Sequence, residues 1–113
     1  MVKTFTALAI LGLAFLPGLA KSADRTVQGT VFYKGGEPAA EAAVQLEDRT
    51  TMQVMSHRTD REGHYRFLGL SPDKDYELRA HKNGHRSKSH TVSHFSSHVE
   101  ETVDLYLEGE PNK

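Results

Sequence analysis

From Thr26 to Leu107 the apolar residues recur at every second position in short runs, and each run is closed by a turn rich in glycine, proline or aspartate. A period of two is the repeat of a strand whose alternate side chains face opposite sides of a sheet. With no convincing helical repeat beside it, this pattern confines the chain to all-β architectures. In TVQGTVFYK (26–34), Val27, Gly29, Val31 and Tyr33 form one alternating set, with Gly29 where a neighbour packs close. GGEP (35–38) turns the chain, and AVQL (43–46) starts a second strand. TMQVMSHRT (51–59) reads as a third and weakest strand. DREG (60–63) turns into HYRFL (64–68), where Tyr65 and Phe67 share a face. After the loop SPDKD (71–75), Tyr76, Leu78 and Ala80 are the inward positions of a fifth strand, and KNGH (82–85) turns again. Residues 87–95 and 102–107 supply two more, the last with Val103, Leu105 and Leu107 inward. Seven short strands separated by regular turn signals predict an antiparallel seven-stranded β-sandwich.

The first 22 residues fall outside this pattern. Lys3 precedes an apolar run from Phe5 to Leu16, which Pro17 and Gly18 break before small residues follow. That is the layout of a secretory signal peptide, cleaved near residues 20–22, and the run is shorter than the roughly 20 apolar residues that span a bilayer. The expectation is an exported protein, periplasmic or extracellular, with no membrane span. What remains is long enough for one domain, placed at 26–108, with 109–113 as a tail. The chain has no cysteine, so neither a disulfide nor a lipidated cysteine enters the account.

Charge is unevenly distributed. From residue 21 onward, 13 Lys plus Arg face 15 Asp plus Glu, yet no acidic residue occurs from Leu78 to Val99. Within that gap lie Arg79, Lys82, Arg86 and Lys88, and five of the seven histidines: His81, His85, His90, His94 and His98. The last three are spaced by four, which on a helix would bring two of them to one metal ion. On a strand, four residues span about 13 Å and neighbours in the series cannot share an ion. Only a cross-strand pair such as His81 and His90, meeting across a hairpin at Asn83–Gly84, could then hold Zn²⁺ or Cu²⁺. A D-x-x-G turn such as Asp60–Gly63 can suggest calcium, but it supplies too few oxygens for the six to eight that ion takes.

Two stretches carry a resemblance. GTVFYKGGEPAAEAAVQLED (29–48) is similar to a pattern of Gly-x-Val, a Gly-rich turn with Pro, and Ala-x-Val-x-Leu. TDREGHYRFLGLSPDKDYELRAHKNGH (59–85) is similar to Thr-Asp-x-x-Gly-x-Tyr-x-Phe-x-x-Leu followed by Pro and a Tyr-x-Leu strand. Together they resemble the carboxypeptidase regulatory-like domains. The resemblance implies a prealbumin-like (transthyretin-like) or Ig-like sandwich and an accessory role, since a fold of itself supplies no activity. Enzymes of similar fold offer contrasts. Hydroxyisourate hydrolases carry a C-terminal Tyr-Arg-Gly-Ser, whereas residues 108–113 read EGEPNK. Intradiol dioxygenases use a His-x-His pair, which is missing from this sequence. His98-Val99-Glu100-Glu101 matches the letters of the peptidase zinc motif, but the peptidase domain is a large α/β unit that does not fit here.

The sequence therefore predicts a non-catalytic binding module without a cofactor. Its expected contact surface is a basic, histidine-rich strip of Arg79, His81, Lys82, His85, Arg86, Lys88 and His90, meeting an anionic polysaccharide, an envelope polymer or an envelope protein. Protonation of histidines below about pH 6 would strengthen such a strip. Nucleic acid is not an expected partner of an exported protein, and stacking aromatics are missing from the strip apart from Phe95. The alternatives are the His81/His90 metal protein and a small hydrolase drawn from Asp60, His64 and Ser56.

Overall fold

The computed structural model describes residues 24–96 and 98–108; the expected leader at 1–22 and tail at 109–113 lie outside them. Nine strands occur among the described residues: β1 (Arg25–Phe32), β2 (Ala43–Asp48), β3 (Val54–Arg58), β4 (His64–Leu70), β5 (Tyr76–Lys82), β6 (His85–Arg86), β7 (His90–Val92), β8 (Glu100–Thr102) and β9 (Leu105–Tyr106). They form two sheets. In the first, β1 lies between β4 on one side and β8 and β9 on the other; in the second the order is β3-β2-β5-β6, with β7 also on β5. No helix among the described residues is long and apolar enough to cross a membrane.

The core follows the period of two. Val27, Val31, Val44, Leu46, Leu78 and Val92 are fully buried, joined by Tyr65, Phe67, Tyr76, Ala80, Val103, Leu105 and Leu107. These include every inward position named for the first, fourth, fifth and last strands except Gly29 and Tyr33, and Tyr33 packs partly buried against the core. Their burial from both sheets supplies the main driving force, about 25 cal/mol for each Å² of apolar surface removed from water.

The strand count differs from the expected seven, and the reason is local. In place of the expected turn at 82–85 and sixth strand at 87–95 there are two short strands, β6 at 85–86 and β7 at 90–92, because Ser87 leaves the regular ladder. Its N–H donates to the Ala80 carbonyl at 2.9 Å, while its Oγ accepts from the Ala80 N–H at 2.8 Å. A side-chain oxygen has replaced a backbone carbonyl, and Lys88–Ser89 loop out before His90. The seventh splits into β8 and β9 in the same way: Asp104 Oδ1 accepts the Thr30 N–H at 3.0 Å in place of a main-chain acceptor. The neighbouring Val103 carbonyl turns to the Tyr65 hydroxyl, which donates to it at 2.5 Å. Burial, with the nearby Asp104 and Glu101 charges, raises the Tyr65 phenol's pKa far above its ordinary value, so it remains a donor.

Gly29 makes that junction possible. A Cβ there would overlap the Val103 carbonyl and crowd the Tyr65 hydroxyl, so the close approach read at Gly29 is real and its partner is backbone. A second correction concerns direction. β8 and β9 run parallel to β1, pairing Val27 with Glu101 and Val31 with Leu105, so the sandwich is mixed rather than wholly antiparallel. The Glu108 N–H donates to the Arg86 carbonyl at 2.8 Å and ties the end of the first sheet to the edge of the second.

Candidate functional site

Cross-strand register decides which of the predicted contact residues meet. On the buried side of the five-stranded sheet lie Val44, Leu46, Leu78 and Ala80; residues of opposite parity face outward. Ala43 pairs with Arg58 on β3 and with His81 on β5, and His81 pairs with Arg86 on β6. One straight row therefore crosses four strands as Arg58, Ala43, His81 and Arg86. Directly paired residues have Cβ atoms about 5 Å apart, so His81 and Arg86 stand side by side, while Arg58 lies two strands from His81 across small Ala43.

Two shallow clefts flank His81. One, of about 370 Å³, is lined by Gln45, Arg79, Ala80, His81, Gly84, Arg86 and Ser87. The other, of about 340 Å³, is lined by Ala43, Arg58, His81, Lys82, Asn83 and Glu41, the last its one carboxylate. Arg58 donates to the Glu41 carbonyl at 3.2 Å, a neutral acceptor. The other end of the same outer face is closed off by ion pairs: Arg49 with Glu47 at 3.2 Å and with Glu77 at 3.6 Å.

The other members of the expected strip separate from this row. Arg79 projects from the same face but leans to Glu47 at 3.4 Å, which cancels much of its charge. Lys82 lines the cleft with Arg58 and His81, and its Nζ donates to the Ala40 carbonyl at 2.5 Å and lies 5.7 Å from the centre of the Tyr33 ring. His85 pairs with Lys82 across the hairpin. Lys88 and His90 line a different groove, of about 260 Å³, whose other walls include Asp104, Tyr106 and Glu108. Conversely, Arg58 was missed by the sequence reading because it lies 20 residues before the acid-free gap. The alternation of β2 and β3 was the signal that could have placed it.

The metal pairing expected across the hairpin is not formed. Asn83 and Gly84 do close it, both at positive φ (52° and 85°). But His81 stands opposite Arg86 and His90 opposite inward-facing Leu78, three residues further along β5 and of opposite parity. The histidines spaced by four are likewise anchored apart: His94 Nδ1 is 2.7 Å from Asp75 Oδ1, and His98 Nδ1 is 3.2 Å from Ser96 Oγ. Of the residues drawn as a hydrolase, Asp60 and His64 are neighbours at 3.8 Å. Ser56 pairs with Gln45 on the outer face of the other sheet.

Fold and surface together define a small two-sheet β-sandwich of the prealbumin-like or Ig-like class. A profile of the carboxypeptidase regulatory-like domain matches residues 26–108, and the chain belongs to that family. No curated protein sequence matches it. Among solved structures it is similar to catechol 1,2-dioxygenase from Acinetobacter sp. ADP1, with 14% identity and a TM-score of 0.58 over 78% of this chain and 53% of that one. It is also similar to hydroxyquinol 1,2-dioxygenase from Pseudomonas putida DLL-E4, with 10% identity and a TM-score of 0.59 over 81% and 58%. A third is BcpA, the major pilin subunit of Bacillus cereus, with 11% identity and a TM-score of 0.51 over 74% and 30%. The chain spans little more than half the length of the dioxygenases it matches. At these identities the likeness shows a shared fold and nothing of chemistry.

Proposed function

We propose that the protein is an exported, non-catalytic binding module whose outer five-stranded face takes an anionic polymer, such as a polysaccharide bearing carboxylate, sulfate or phosphate groups. The observation that carries this reading is the row Arg58–Ala43–His81–Arg86, fixed by the pairing of four strands. Two guanidinium forks on either side of an imidazole match repeated oxyanions on an extended chain, because arginine presents planar, bidentate donors to such groups. The flanking clefts give the polymer a path across the sheet instead of a closed pocket. Export is supported by the leader pattern at 1–22.

Retention on immobilised heparin tests the reading. Wild type is expected to bind and to elute earlier as salt rises, since charges more than about 8 Å apart are screened at physiological ionic strength. Arg58→Gln with Arg86→Gln is expected to abolish retention, while Lys88→Gln leaves it nearly unchanged. Absent or salt-insensitive retention of the wild type would remove the proposal.

A further inference from the structure

The turn that follows Arg58 carries a cluster of different chemistry. The hairpin turn between β3 and β4 reads Asp60-Arg61-Glu62-Gly63-His64. Asp60, Glu62 and His64 each offer one metal-ligating atom, and the three atoms all lie within 4.8 Å of one another. All three side chains are exposed and accessible to a dissolved ion.

The turn holds them together before any ion arrives. Asp60 Oδ1 accepts the N–H groups of Glu62 and His64, both at 2.9 Å. The Asp60 N–H donates to the His64 carbonyl at 3.1 Å, and the Gly63 N–H to the Asp60 carbonyl at 3.0 Å. Gly63 is buried at φ 81° against the Val31 carbonyl, so the turn is seated on β1. These bonds occupy one oxygen of Asp60 and leave Oδ2 facing His64 Nδ1. A groove of about 450 Å³ opens beside the turn, and His57 lines it with Asp60 and His64, adding a second imidazole. Arg66 lines the groove too and is the opposing charge there.

We propose that Asp60, Glu62 and His64 form a surface site for a borderline divalent cation of the Zn²⁺ or Cu²⁺ type. Mixed nitrogen and carboxylate donors select ions of this class. Zinc takes nitrogen at about 2.0–2.1 Å and carboxylate oxygen at about 2.0–2.2 Å, so the exposed side chains close on the ion by small rotations while the backbone stays fixed. Calcium is not the ligand, because the turn lacks the six to eight oxygens it takes. Three donors leave positions on the ion for water or for His57. This site is distinct from the His81/His90 pairing, which the strand register rules out.

Copper(II) titrated into ¹⁵N-labelled full-length protein locates the site through paramagnetic broadening. Resonances of residues 57 and 60–66 should broaden first, at substoichiometric metal. Glu62→Gln and His64→Gln, each checked for native circular dichroism, should weaken Zn²⁺ affinity in calorimetry by roughly tenfold or more. His90→Gln should leave that affinity unchanged, and Ca²⁺ should give no heat of binding. Broadening that begins at His81, His85 or His90, or equal Zn²⁺ affinity in both turn variants and wild type, overturns the proposal. Glu62 is exposed and its substitution removes only the carboxylate, so loss of folding in the His64 variant would not shield the site from refutation.

Discussion

The outer face of the five-stranded sheet and the β3–β4 turn carry opposite chemistry, and they were assembled in opposite ways. Arg58 and Arg86 are 28 residues apart in sequence and share one row only because β2 and β5 pair between them. Asp60, Glu62 and His64 are adjacent in sequence and meet because one carboxylate oxygen fastens two N–H groups of the same turn. A site built by register depends on the whole sheet. A site built by a turn depends on five residues, one of them the glycine that seats it. The two regions therefore ought to respond differently to the same perturbation.

The largest expected effect comes from breaking the frame that both share. Gly29→Ala forces a Cβ into the Val103 carbonyl, and urea unfolding should show a loss of about 3 kcal/mol, the upper range for overpacking. A loss below about 0.5 kcal/mol would mean that the β8–β9 junction moves freely. Tyr65→Phe comes next. It leaves the buried Val103 carbonyl without its donor, and about 1–3 kcal/mol of stability should go, again by urea midpoint. Both changes weaken the four-stranded sheet and should leave heparin retention by the folded protein intact.

Smaller effects separate the two regions directly. Arg58→Gln and Arg86→Gln are surface changes and should shift stability by no more than about 0.5 kcal/mol while removing retention. Acid acts in the other direction, on carboxylates away from the row. Asp48 is lowered to about 2, first by its bond from Lys74 and then by the N–H groups of Thr50 and Thr51. Asp75 is lowered by the backbone and ring of His94, and Asp60 by the N–H of His64. A depressed native pKa means that the unfolded chain binds protons more readily, so these groups stabilise the fold above their unfolded pKa near 4. That contribution is lost as pH falls toward 2. Thermal midpoints should be flat from about pH 7 to 5 and then decline, and Asp48→Asn should make the decline shallower.

Much of the frame was legible in the sequence because it depends on local alternation. Tyr65, Phe67, Tyr76, Leu78, Val103 and Leu107 are buried as their parity requires, and Gly29 marks a close approach. What parity cannot show is where a side chain stands in for the backbone. Ser87 Oγ and Asp104 Oδ1 do so, and each stands between two short strands where longer ones were expected. The parallel pairing of β8 and β9 with β1 joins residues more than 70 positions apart, and no local pattern encodes it.

The site was legible only in part, for the same reason. The acid-free gap contains His81 and Arg86, two members of the proposed row. Proximity in sequence also suggested Lys82, which lines a cleft beside the row while bonding the Ala40 carbonyl, and Lys88 and His90, which line a groove shared with Asp104 and Glu108. The same proximity, applied to Asp60–His64, identified a turn and overlooked that the turn's side chains converge.

Chemical-shift mapping with a heparin oligosaccharide tests the central claim most directly, because it reports which face is touched. The account predicts shifts confined to residues 43, 45, 58, 79–81 and 86, lost together in the Arg58→Gln/Arg86→Gln protein. Shifts centred instead on 88–90 and 104–108, or spread over 26–32 and 64–68 of the other sheet, would contradict it.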